Sequence, residues 1–143
     1  MRCQDLLDRL KSENQELIKQ VEEQLRPLDI EQWAWRSKPT AWNTLEILEH
    51  LNRMFDRAFT KVDLAIDKAI EEGHNPTETY QVGWIGEVAV QLIDTNEERK
   101  NTIKLKTPPS FNPIDQPLES DKVLETFLAQ LREFDRMLER ARL

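Results

Sequence analysis

The chain has 143 residues, enough for one domain that buries about two thirds of its unfolded surface. Its 20 basic and 27 acidic side chains leave a net charge of −7, which argues against general affinity for nucleic acid or anionic membrane. Three scattered glycines (Gly73, Gly83, Gly86) form no phosphate-cradling loop, and a lone Cys3 with His50 and His74 falls short of a four-ligand Cys/His zinc site.

Apolar residues recur at helical spacing through Leu6, Leu10, Leu17, Ile18, Val21 and Leu25, and Pro27 closes the run. A first helix is predicted from about residue 4 to 25. The first residues turn polar at once and nothing approaches 18 consecutive apolar residues, so neither a signal peptide nor a membrane span is expected. The expected location is cytoplasmic.

A second helix has a full start signal: Asn43 as N-cap, Glu46 three positions on, and Trp42 placed to staple onto Ile47. Its apolar stripe runs from Leu48 to Ile70, and Gly73 supplies the stop, giving roughly 45 Å of helix.

Residues 73 to 120 hold five of the seven prolines, which excludes a long helix there. The apolar run from Val82 to Ile93 reads as a short helix, and KLKTPPSFNP reads as extended loop. A third long helix is predicted from an N-cap at Ser120 through Leu124, Phe127, Leu128, Leu131, Phe134 and Leu138 to Leu143. The expected fold is an all-α up-down bundle, a single domain over 1–143, with three long helices and a short one in the 73–120 connection.

The run QWAWRSKPTAWNTLEILEHLNR places Trp35, Arg36, Pro39, Trp42, Glu46, His50 and Leu51 in the order W-R-x-x-P-x-x-W-[ST/N]-x-x-E-x-x-x-H-L. On these residues, and on KLKTPPSFNP as a later proline loop, the chain resembles the DinB-like (YfiT-like) superfamily. The resemblance implies a four-helix bundle in which three histidines, one on the second helix and two in an HxxxH on the fourth, hold a divalent metal. Characterised relatives are thiol transferases and related metal-dependent enzymes.

Here His50 alone matches a ligand position, and no HxxxH follows the third long helix. His74 lies about 36 Å of helix further on and is no substitute. A divalent metal (Zn, Ni, Mn or Fe) would therefore need ligands from outside this stretch of chain, and the domain reads as short at its C-terminus.

Two readings of His50 stand side by side: a metal ligand, or a partly buried histidine bonded to a neighbour. Glu46, one turn earlier, is a weaker ligand candidate because the capping box also claims it. Trp35, Arg36 and Trp42 are candidates for a small-ligand pocket, against staple and solvated-loop roles. Carboxylate pairs such as Glu22/Glu23, Glu71/Glu72 and Glu97/Glu98 read as solvated faces.

Three helices leave one bundle groove open, an apolar patch larger than monomers usually expose, so a homodimer or residues beyond Leu143 are expected to cover it. Two functions follow: a metal-dependent transferase or hydrolase using His50, or a non-catalytic bundle acting by dimerisation or small-molecule binding.

Overall fold

The computed structural model describes residues 2–83 and 106–142. Within them lie four helices: α1 (Cys3–Gln24), α2 (Ile30–Ala34), α3 (Thr44–Glu71) and α4 (Ser120–Arg140). Two single 3₁₀ turns, Pro109–Phe111 and Pro113–Asp115, occupy the proline loop. The described fold is all-α, with one isolated antiparallel bridge between Arg2 and Thr79.

Local signals account for most of the boundaries. Both bonds of the predicted capping box form at the start of α3, Asn43 Oδ1 accepting from the Glu46 amide at 2.8 Å and Glu46 Oε2 from the Asn43 amide at 3.0 Å. At its other end Gly73 takes φ +65°, the left-handed conformation glycine adopts without a Cβ penalty. The His74 amide then reaches back to the Ala69 carbonyl and the Gly73 amide to the Ile70 carbonyl, a Schellman stop.

Three details differ from expectation. The five-residue α2 was not predicted; Asp29 and Gln32 build a complete capping box for it, but five residues are too few to show a period. Ser120 is not an N-cap: Glu119 takes that position, no side chain caps it, and Ser120 is the first helical residue. The third long helix ends at Arg140 and not Leu143. The short helix predicted within Val82–Ile93 lies, from residue 84 onward, outside the described residues.

The core is built on α4. Its Val123, Leu124, Phe127, Leu128 and Leu131 pack with Val21 of α1, Trp33 of α2 and Leu48 of α3. A stacked ladder continues the α3–α4 contact, Phe55 on Phe127 at 5.7 Å and Phe59 on Phe134 at 5.2 Å between ring centroids. Both α1 and α3 pack against α4 far more than against each other, so α4 is the middle member of the three long helices.

Buried amides fix the registers. Asn14 Nδ2 of α1 donates to the Leu131 carbonyl and to Asp135 Oδ1, both at 2.8 Å. Asn52 Nδ2 of α3 donates to the Val123 carbonyl at 3.0 Å, and Gln130 Nε2 returns a bond to the Asn52 carbonyl. Arg140 closes the far end by pairing with Asp63 and Asp67.

No helix among the described residues is long and apolar enough to cross a membrane.

Candidate functional site

The motif residues converge where the 35–43 loop and the proline loop meet the first two turns of α3. Arg36 reaches Glu46 with two parallel bonds, Nη1 to Oε2 and Nη2 to Oε1, each 2.6 Å. Its Nη1 also donates to the Ala41 carbonyl, closing the loop on itself. The paired guanidinium, with help from the Asn43 amide, holds the Glu46 carboxyl below its ordinary pKa of 4.5 against the opposing cost of burial.

One turn on, His50 Nδ1 lies 2.8 Å from the Phe111 carbonyl. A carbonyl only accepts, so Nδ1 bears the proton and donates. In the neutral ring Nε2 then keeps a lone pair. Trp42 sits against one side of the imidazole at 5.0 Å between centroids, and Phe111 meets it edge-on at 6.4 Å. The Arg57 guanidinium lies 5.0 Å over the Phe111 ring, a cation–π contact.

Arg53 completes the arrangement. Its Nε donates to Glu49 Oε1 at 2.8 Å, and its Nη atoms bind both oxygens of Asp115 at 2.7 and 3.0 Å and the Asn112 carbonyl at 2.5 Å. Asp115 is held below its ordinary carboxyl pKa by this pairing. His50, Arg53 and Arg57, spaced 3 and 4 apart on α3, thus grip one proline loop over residues 111–115.

The predicted residues divide accordingly. Arg36 is not a free loop charge but the partner of Glu46, and Trp42 turns toward His50 while Ile47, its expected staple partner, stays 47% exposed. Trp35 is 67% exposed and Trp33 lies in the core. His74 pairs with Glu72 just beyond the opposite end of α3. Cys3 sits at the start of α1, 3.6 Å from Thr77 Oγ1.

Sequence reasoning missed the roles of Phe111, Asp115 and Arg53. The available signal was the Asn112–Pro113–Ile114–Asp115 turn, which ends in an acid, with an arginine one turn after His50.

Among the described residues, most donors near His50 are already engaged within the chain. Both Glu46 oxygens are taken by Arg36, both Asp115 oxygens and one Glu49 oxygen by Arg53, and Nδ1 of His50 by Phe111. Among the described residues no three His, Cys, Asp or Glu side chains group to hold an ion. Among the described residues of this cluster, the metal that the DinB resemblance implies would find His50 Nε2 and the second Glu49 oxygen without a bond inside the chain.

Arg53→Ala is expected to loosen the proline loop while leaving the helices formed. It should cost about 1–2 kcal/mol. Amide exchange at residues 111–115 should rise well above exchange within α4; unchanged protection there would contradict the grip.

A small open concavity of about 260 Å³ lies against the cluster itself, over Asn43, Glu46, Pro113 and Leu118, and two larger ones flank α2. One of about 450 Å³ lies over Trp33, Leu45 and Leu118, and another of about 690 Å³ lies over Leu28, Ile30, Trp33 and Leu124. Compared with protein-family models, curated proteins and solved structures, the chain matches none of them.

Proposed function

We propose that this chain is a non-catalytic, DinB-like helical-bundle module whose tryptophan–arginine–histidine motif fastens loops to α3. Binding of a small apolar molecule would fall to the cleft beside α2 that Trp33 floors. The observation supporting this is the saturation of the motif: its carboxylates and imidazole Nδ1 are spent on bonds within the chain. A reacting group needs a free donor or acceptor aimed at substrate, and among the described residues of the cluster His50 Nε2 and one Glu49 oxygen are left for that role.

The imidazole nitrogen favours one second reading. A ring anchored through Nδ1 to a backbone carbonyl is oriented as metal-binding imidazoles are, so His50 would serve as one ligand of a divalent ion if two more came from outside the described residues. The ion would then supply Lewis-acid chemistry for a transferase or hydrolase.

Metal content of the purified protein decides between the two. The expected result is far less than one Zn, Ni, Mn or Fe per chain in wild type and the same in His50→Ala, with His50→Ala melting at lower temperature. A near-stoichiometric metal in wild type that His50→Ala loses would establish the second reading.

A further inference from the structure

The two clefts beside α2 share the lining residues Ile30, Trp33, Ser120 and Asp121. Trp33 is 5% exposed, and its indole Nε1–H makes no hydrogen bond among the described residues. The side-chain nitrogens and oxygens there that are both sealed and unpartnered are Asn52 Oδ1, Gln130 Oε1 and Arg142 Nε. Trp33 Nε1 is not one of them, so it opens on the clefts that the indole lines. A buried indole N–H usually finds an acceptor, and here the described residues supply none.

Further donors border the same space. Glu119, the N-cap of α4, makes no side-chain cap bond, and the first helical bond runs from the Val123 amide to the Glu119 carbonyl. The Ser120 and Asp121 amides therefore have no partner within the helix. Asn43 uses Oδ1 to accept from the Glu46 amide, which leaves its Nδ2 to donate. Leu28, Leu45, Leu118 and Leu124 supply apolar walls.

The charged rim decides which kind of acceptor fits. Asp29, Glu31, Glu119 and Asp121 line the clefts against one base, Arg26, whose guanidinium is already paired with Glu22 and Glu125. A carboxylate ligand would shed water over leucine side chains, face these acids and meet no available cation. An ammonium ligand would suit the rim, but it would bring only donors to a space bordered by donors. Resting on the cleft-binding reading proposed above, we infer that the ligand of the α2 cleft is an uncharged apolar molecule with a carbonyl-type oxygen. That oxygen accepts from Trp33 Nε1 while the hydrocarbon lies against Ile30 and the leucines.

Methyl butyl ketone, hexanoate and hexylammonium put three head groups on bodies of equal carbon number. Each is titrated at neutral pH and equal ionic strength into isotope-labelled wild type, whose four tryptophans give separate indole N–H signals in NMR spectra. The ketone is expected to shift the Trp33 indole and the Ser120 and Asp121 amides, with a dissociation constant about fivefold or more below that of either ion, the effect of one hydrogen bond. Trp33→Phe keeps an aromatic ring and removes the donor, and should weaken ketone binding about fivefold. If that variant does not fold, Ser120→Pro removes a cleft donor at the first helical position, where proline is tolerated, and should weaken binding likewise. Equal or tighter binding of either ion, or undiminished ketone binding by the variant, overturns the carbonyl assignment and leaves the cleft as a binding site. A Trp33 indole that responds to none of the three overturns both.

Discussion

Arg36→Ala is expected to lower the melting temperature measurably, with the helices still formed. The substitution strands Glu46, which is 8% exposed, beneath a loop that no longer neutralises it. Breaking a pair buried at both ends typically costs about 3–5 kcal/mol. The loss here is smaller than that, because the Arg36 side chain is 36% exposed and its charge is partly solvated already. Arg36→Lys should recover only part of the loss, since an ammonium cannot make the two parallel bonds.

The effect depends on pH in a determined direction. Pairing with Arg36 depresses the folded-state pKa of Glu46 below 4.5, so the unfolded chain takes up the proton first as pH falls. The stabilisation is therefore complete above the ordinary carboxylate value and is lost as pH drops through the folded value. The gap between wild type and Arg36→Ala should be flat around neutrality and narrow in acid, by urea unfolding at a series of pH values. A gap that stays constant in acid would show that the loop is held by packing and not by charge.

How much of this was legible in the sequence depends on the distance over which each signal acts. The ends of α3 were readable because a capping box and a glycine stop are complete within four or five residues. The start of α4 was misread because Ser120 matches the residue type of an N-cap, while the backbone turns one residue earlier. Arg36 looked solvated because its partner is ten positions away and is reached only when the Pro39 loop folds back. The bond from His50 to Phe111 spans 61 positions, beyond any local rule. The motif marked where the chain is held together, and the contacts had to show by what.

Leu128→Ala is expected to cost more, about 3–5 kcal/mol, because Leu128 is fully buried and its removal leaves a cavity the surrounding helices cannot collapse into. Leu64→Ala, on the same kind of side chain at 63% exposure, should change stability by less than about 0.5 kcal/mol. The form of the unfolding curve carries further information. Since α1 and α3 are joined chiefly through α4, a defect in α4 weakens both contacts at once, and both should be lost together. Urea unfolding of Leu128→Ala should then show one transition by tryptophan fluorescence, to which Trp33 and Trp42 beside α2 and α3 contribute among the four tryptophans, and by circular dichroism, which reports all helices. If circular dichroism retained a second step after fluorescence was complete, α1 or α3 would hold its structure without α4, and the placement of α4 as the common support would be wrong.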